Sequence, residues 1–251
     1  MSHTPDRTLT LRGACNVRDL GGYLNAAGAP IPWRHFLRAD CLHQLEHGEA
    51  ERMQFEGLRM VIDLRTAREV RDAPSRFEPL RGIDWVNLPL FDALSPAALA
   101  EVEVPDGHPL LTMYITAIET RGPAICTILT RLAQIEAGTV MFNCTAGKDR
   151  TGIIAALLLG LAGTAPADII EDYTLTAAHI PDLVAGFLSR ARANGGDVES
   201  YATLLESPSE AMAGMLAHID GKYGSVMGYF DDIAVPNDVL ARLQARLGLT
   251  G

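Results

Sequence analysis

One stretch past the middle of the chain constrains the fold more than any other. Residues 139–142 favour a buried strand, and Cys144 follows almost at once, with Arg150 and Thr151 after five intervening residues. Residues 153–163 form an apolar run that ends on glycine, which predicts a buried helix. A strand, a tight loop and a helix in this order place the loop where ligands bind in open α/β sheets, beyond the carboxyl end of a strand.

The loop in this pattern is suited to hold an anion. Backbone N–H groups of a tight loop converge at the start of a helix, and the helix dipole adds positive potential there, which also favours a thiolate. Arg150 offers a planar fork for two phosphate oxygens, and Thr151 can donate its hydroxyl to the thiolate. We therefore predict that Cys144 attacks phosphorus, forming a cysteinyl-phosphate that is then hydrolysed. The predicted substrate-binding residues are Thr145, Ala146, Gly147, Lys148 and Thr151.

Lys148 has two interpretations. If its side chain points inward, its charge would favour a second phosphate, and so a phosphoinositide or another polyanion. The alternative is an exposed loop lysine without a role in binding.

A cysteine, five residues, then arginine and threonine, between a strand and a helix, resembles the signature loop of the protein tyrosine and dual-specificity phosphatases. The residues inside the loop resemble the bacterial branch, whose members also act on phosphoserine, phosphothreonine or phosphoinositides. Further motifs in the same order match that branch: residues 16–23, 38–40, 61–66 with Glu69, 172–173, and 223–226 with Tyr229. The resemblance covers about residues 13–248. It implies a tyrosine-phosphatase-like fold and a phosphorylated protein or phosphoinositide as substrate.

The general acid is less clearly defined by the sequence. Cleavage of a phosphate ester needs a proton for the leaving oxygen unless the leaving group is a phenol of low pKa. Asp149 lies inside the loop, and the resemblance links the loop aspartate to this role. The alternative is a structural aspartate paired with Arg150 or Lys148, and Asp92 and Asp63 are competing acids.

Asn143 departs from the resembled pattern, in which a histidine precedes the cysteine. An asparagine amide can also bond to the loop, so we expect an active enzyme. The rival hypothesis is a pseudophosphatase that binds phosphate but is weakened by Asn143. A third, disfavoured hypothesis is sulfur transfer or arsenate reduction, because no resolving cysteine lies near Cys144 in the sequence.

Composition narrows the partners. The formal net charge of −10 argues against a nucleic-acid-binding surface. Neither the four cysteines nor the seven histidines show metal-ligand spacing, so we predict no metal and no cofactor. The first eleven residues do not resemble a secretory leader and residues 153–161 are too short to span a membrane, which predicts a cytoplasmic protein without integral membrane association and leaves leaderless export open. The oligomeric state cannot be derived from these features.

The order of elements predicts one α/β domain over residues 1–251, with residues 1–9 loose. We expect a largely parallel central sheet flanked by helices, an N-terminal β arm and a helical C-terminal part. Strands are predicted at 58–63 and 83–88, and helices at 44–55, 66–72, 109–120, 123–136, 166–179, 181–193, 208–223 and 236–247. Thr66 is predicted to cap the second helix, and residues 207–210 are typical of a capping box. Residues 91–108 are expected to form a surface excursion near the substrate, and the sequence does not decide whether this segment forms a lid.

Overall fold

The computed structural model describes residues 6–91 and 108–249. Five strands form one sheet in the described part: β1 (Arg18–Asp19), β2 (Phe36–Ala39), β3 (Leu58–Asp63), β4 (Asp84–Asn87) and β5 (Thr139–Asn143). The strand order is β1-β2-β5-β3-β4, so β5 is central. The β1 and β2 pair is antiparallel and the other pairs are parallel.

Helices precede, separate and follow these strands. Among the described residues, four lie before the central strand: α1 (Glu49–Phe55), α2 (Ala67–Asp72), α3 (Pro109–Thr120) and α4 (Gly122–Leu132). The helix after the central strand is α5 (Asp149–Ala162). The C-terminal helices are α6 (Pro166–Thr174), α7 (Thr176–His179), α8 (Pro181–Ala193), α9 (Val198–Leu205), α10 (Ser209–Tyr223), α11 (Val226–Asp232) and α12 (Asn237–Arg246). The predicted α/β class with a mostly parallel sheet is confirmed.

The sheet separates two apolar clusters because neighbouring strand residues point to opposite faces. Val61 of β3 and Met141 of β5 belong to the smaller cluster, which also includes residues of α1 and of the N-terminal arm, here residues 9–17. Ile62 and Phe142 belong to the larger cluster, which includes α5 and the C-terminal helices. Burial on both faces explains why these strands are continuous apolar runs rather than alternating ones.

The α5 helix lies in the larger cluster with almost every residue buried. Gly163 ends it with a left-handed backbone (φ 75°), a conformation that glycine adopts without strain. A helix buried on all sides has little freedom to shift. The start of α5, where the loop containing Cys144 ends, is therefore held firmly.

Several predicted helix bounds need correction. The helix expected over 44–55 is a 3-10 turn (Leu42–Gln44) followed by α1, because Gly48 intervenes with a left-handed backbone (φ 84°). The helix expected over 166–179 is divided into α6 and α7. Two helices that were not predicted, α9 and α11, directly follow Asp197 and Ser225, whose side chains cap them.

The two helix-start predictions had opposite outcomes. Thr66 caps α2 as predicted, in a reciprocal box with Glu69. The box predicted at residues 207–210 was wrong, since Pro208 occupies the cap position of α10 and makes no side-chain bond there. Ser207 Oγ is buried without a partner among the described residues. The proline moves the helix start by one residue, so serine and glutamate lose the required spacing.

Most of the excursion expected at residues 91–108, including Asp92, lies outside the described residues. No helix within residues 6–91 and 108–249 combines the length and apolarity needed to cross a membrane. The extent of the single domain stays a prediction.

Candidate active site

Cys144 directly follows β5 and is 3% exposed. The loop that it begins runs through Lys148 to the first residue of α5. Because β5 lies between β2 and β3, the loop is flanked by the carboxyl ends of two other strands. Cys144 thus occupies the position that the strand, loop and helix pattern predicts.

The loop leaves its amide donors free. Within the part of the chain that the structure describes, no backbone N–H of residues 145–150 donates to a protein acceptor. Gly147 has φ +65°, and a Cβ added there would lie 2.7 Å from the carbonyl oxygen of Ala39. Only glycine fits this turn against β2. Unpaired amides at a helix start are the donors that anions bind.

Arg150 is held by an acid whose role was not predicted from the sequence. Its Nη1 and Nη2 donate to the two carboxylate oxygens of Glu69 over 2.7 and 2.8 Å. Thr145 Oγ1 also donates to this carboxylate, over 2.5 Å. Glu69 belongs to the α2 capping box, which fixes its backbone. The pair therefore orients the guanidinium at the edge of the loop.

Pairing lowers the pKa of Glu69 and raises the pKa of Arg150. Burial alone would raise the pKa of Glu69, but the hydrogen bonds and charge of Arg150 outweigh it and lower the pKa to about 2. Burial likewise opposes the charge of Arg150, yet its hydrogen bonds to Glu69 and then the electrostatic effect of the Cys144 side chain raise its pKa. Both groups are ionised at neutral pH, so Arg150 remains a cation near the thiol.

Asp149 accepts a hydrogen bond of 2.6 Å from the hydroxyl of Tyr114, and its Oδ1 lies 3.4 Å from Lys148 Nζ. The hydroxyl oxygen of Tyr114 also lies 2.8 Å from the hydroxyl oxygen of Tyr173. Burial, and then the charge of Asp149, raise the pKa of Tyr114 well above its usual value. Tyr114 is therefore a neutral donor that orients the carboxylate. No sequence signal pointed to this tyrosine.

Lys148 is buried, with its ammonium directed away from solvent. Its Nζ donates to the carbonyl oxygens of Leu204 and Glu206, both over 2.6 Å. These carbonyls lie at the end of α9, where unpaired carbonyls favour a cation. Lys148 thus connects the loop to the C-terminal helices.

Asn143 and Thr151, which flank the loop, make few hydrogen bonds through their side chains. Asn143 Nδ2 makes one contact of 3.4 Å with the carbonyl oxygen of Cys144. Its Oδ1 and the hydroxyl of Thr151 are buried without a partner among the described residues. Ala146 is half-buried and contributes backbone only.

The competing acids differ in their surroundings. Asp63 ends β3, is fully buried, and is bound by Arg65 through its Nε and Nη2. Asp92 lies outside the described residues, but the preceding Phe91 has its ring centroid 6.0 Å from Arg150 Cζ. Phe91, the last described residue before Asp92, therefore lies near Arg150.

A cavity of about 870 Å³ adjoins the loop through Thr145 and Glu69. Its walls include apolar and charged side chains of α8, among them Phe187 and Arg190. This volume lies within the range of pockets that bind small ligands. It offers space for a group attached to a phosphate bound in the loop.

A buried thiol among free amides, beside a fixed guanidinium, defines a nucleophilic anion site on an α/β scaffold. The model of a tyrosine phosphatase family matches residues 9–248, and the chain belongs to that family. The predicted resemblance is confirmed.

Curated relatives agree. The chain is 30% identical over 240 residues to the tyrosine-protein phosphatase of Nostoc commune, covering 88% of this chain and 76% of that protein. It is 28% identical over 282 residues to the triple specificity protein phosphatase PtpB of Mycobacterium tuberculosis, covering 94% and 98%. A crystal structure of TpbA from P. aeruginosa overlaps with a TM-score of 0.31 at 14% identity, covering 72% and 87%. That overlap is too small to carry an argument. The chain is a protein-tyrosine-phosphatase-like phosphoric monoester hydrolase.

Proposed function

We propose that this protein hydrolyses phosphotyrosine through a cysteinyl-phosphate intermediate on Cys144, without a metal ion. The observation that carries the proposal is the place of the Cys144 thiol, at the start of a loop whose N–H groups have no protein acceptor among the described residues. These donors, with Arg150, match the negative charge that phosphoryl transfer spreads over the equatorial oxygens.

In the first step, the Cys144 thiolate attacks phosphorus opposite the leaving oxygen. An S–P bond forms as the P–O bond to tyrosine breaks, and a proton transferred to the phenolic oxygen releases tyrosine. Loop amides and the Arg150 fork hold the three remaining phosphate oxygens.

In the second step, water attacks the phosphorus of the cysteinyl-phosphate. The S–P bond breaks, inorganic phosphate leaves, and the thiolate is restored. The buried hydroxyl of Thr151 is a donor without a partner in the described part of the chain, and it can stabilise the departing thiolate.

We propose Asp149 as the acid of the first step and the base of the second. Its carboxyl is 13% exposed and is oriented by Tyr114, which supports a role at the loop. The pairing with Lys148 supports the alternative, a structural aspartate. The two roles differ in their dependence on the leaving group, which is tested below.

The substrate range extends the proposal. PtpB is named as a triple specificity phosphatase, and by similarity we propose activity on phosphoserine and phosphothreonine as a secondary property. Phosphoinositides have weaker support, because the Lys148 ammonium that could bind a second phosphate is bonded to Leu204 and Glu206 instead. A panel of phosphopeptides against phosphoinositides ranks these substrates.

The decisive experiment measures turnover of p-nitrophenyl phosphate in EDTA by the wild type and by Cys144→Ser. We expect metal-independent turnover in the wild type and none in the variant, with phosphate binding retained because the loop amides and Arg150 remain. Phosphate binding without turnover in the wild type would favour the pseudophosphatase. A serine variant with wild-type kcat would overturn the covalent mechanism.

A further inference from the structure

The loop from Cys144 to Arg150 is called the catalytic loop here. Three of its successive carbonyl groups accept hydrogen bonds from residues outside the loop. The backbone N–H of Cys41 donates to the carbonyl of Thr145 over 3.1 Å. Asn16 Nδ2 donates to the carbonyls of Ala146 and Gly147 over 2.8 and 3.3 Å. Arg38 Nη2 adds a bond of 2.7 Å to the Gly147 carbonyl. The donors come from β2, its end and the N-terminal arm, all remote from the loop in sequence.

Fixing these carbonyls also determines where the amides point. In a planar trans peptide the C=O and the following N–H point in opposite directions. Carbonyls directed back toward β2 therefore turn the N–H groups of Ala146, Gly147 and Lys148 to the opposite side. These are the amides that have no acceptor among the described residues.

A buried group of charges, here called the rear triad, consists of Arg18, Arg38 and Asp172. Of the two side-chain donors, Arg38 belongs to this triad and Asn16 is bonded to it. Arg38 Nη1 donates to Asp172 Oδ2. Arg18 Nη1 donates to Asn16 Oδ1, and its Nη2 donates to the Asp172 carbonyl over 2.8 Å. Each of the three side chains is at most 2% exposed.

The rear triad holds two guanidinium groups and one carboxylate. Burial, and then repulsion by Arg38, lower the pKa of Arg18 to about 10, which still leaves it charged at neutral pH. Burial would raise the pKa of Asp172, but the two arginines outweigh it and lower the pKa. Counted within the triad alone, one positive charge is therefore left over, and a positive charge near the loop favours an anion there.

We propose that Asn16, Arg38 and Asp172 are positioning residues for phosphate, which act through the loop and not by touching the substrate. They aim three amides at the phosphate, and the rear triad adds the surplus charge. This rests on the proposed function of the loop. A buried polar network that only stabilises the fold is the alternative.

The test measures binding of inorganic phosphate by calorimetry in Cys144→Ser protein, so that it does not depend on turnover. Arg38→Met removes both the Gly147 contact and the charge, and Arg38→Lys restores the charge alone. Arg246→Met is the matched control, because Arg246 is also buried and donates to backbone carbonyls, including those of His35 and Gly138. His35 precedes β2, at the end of the strand opposite to the loop.

We expect Arg38→Met to weaken phosphate binding roughly tenfold or more and to lower kcat/KM of the enzyme with Cys144 intact roughly 100-fold. Arg38→Lys should recover part of the binding. Arg246→Met should lower Tm to a similar degree but change phosphate binding less than about twofold.

If Arg38→Met and Arg246→Met lower Tm equally and both leave phosphate affinity unchanged, the positioning role is wrong. If Arg38→Met does not fold, Asn16→Ala replaces it, with the same expected direction and a smaller loss. A wild type that binds phosphate without turnover would refute the proposed hydrolysis, whereas the calorimetric comparison would still decide the positioning role.

Discussion

The catalytic loop lies between two charged groups that differ in composition and exposure. On one side, Arg150 and Glu69 form a balanced pair whose side chains are 7% and 19% exposed. On the other, the rear triad places two arginines on one aspartate, with no side chain more than 2% exposed. One group adjoins the cavity beside Thr145, and the other is enclosed.

From this difference we infer that the Arg150–Glu69 pair takes part in phosphate binding, whereas the rear triad positions the loop. A partly exposed pair can admit a competing anion, because water can solvate the Glu69 carboxylate when Arg150 binds a phosphate. An enclosed group cannot exchange partners, because an unpaired buried charge is costly. We therefore expect changes in the exposed pair to affect catalysis most, and changes in the rear triad to affect stability as well.

The largest effect is expected for Asp172→Asn. Removing the only carboxylate of the rear triad leaves two buried guanidiniums without a counter-charge, which should cost about 3–5 kcal/mol of unfolding free energy. Urea unfolding at neutral pH measures it, with Glu69→Gln as the comparison. A loss below about 1 kcal/mol would show that the rear triad does not hold its charges in an enclosed, fixed arrangement.

Arg150→Lys should lower kcat/KM for p-nitrophenyl phosphate by roughly 100-fold, because a point charge cannot replace the bidentate fork. The unfolding free energy should change much less than in Asp172→Asn. Steady-state kinetics beside a urea titration gives both values. Equal losses of stability in the two variants would contradict the proposed separation of roles.

Asp149→Asn tests whether Asp149 donates the proton to the leaving oxygen. Hydrolysis of an alkyl phosphate, such as a phosphoserine peptide, should slow by roughly 100-fold, and that of p-nitrophenyl phosphate only a few-fold, because p-nitrophenolate leaves unaided. Inhibition by phosphate serves as the control for loop collapse. Slowing by the same factor on both substrates would identify Asp149 as a structural partner of Lys148 or Arg150.

Glu69→Gln should change how stability depends on pH. The pKa of Glu69 is about 2 in the folded protein against an ordinary 4.5, so its contribution is complete above pH 4.5 and is lost as the pH falls toward 2. The wild type should exceed the variant by roughly 1–2 kcal/mol at neutral pH, and the gap should close in acid. Unfolding free energies at several pH values measure the gap. Parallel curves would mean that Arg150 does not depend on this carboxylate.

The smallest effect is expected for Asn143→His. The Asn143 amide contributes one long contact to the loop, and a histidine should favour the Cys144 thiolate and speed iodoacetate alkylation a few-fold near about pH 6. Identical alkylation profiles for the two proteins would assign control of the thiolate to the loop amides alone.

Local patterns explain what could be predicted. The strand before Cys144, the loop and the helix after it follow one another in the chain, so their relation depends on short-range backbone geometry. The cap at Thr66 has the same basis, because its partner Glu69 is three residues away. The box predicted at residues 207–210 had this spacing too, and it was wrong because Pro208 itself takes the cap position.

The sequence by itself determined the family, the α/β class and the central place of Cys144 and Arg150, since each depends on residues close together in the chain. Only the tertiary structure decided the environment of the loop. Arg38 and Asp172 are 134 positions apart, and Glu69 and Arg150 are 81 apart. Whether such charges meet depends on which strands are neighbours and how the helices pack, and local periodicity contains neither.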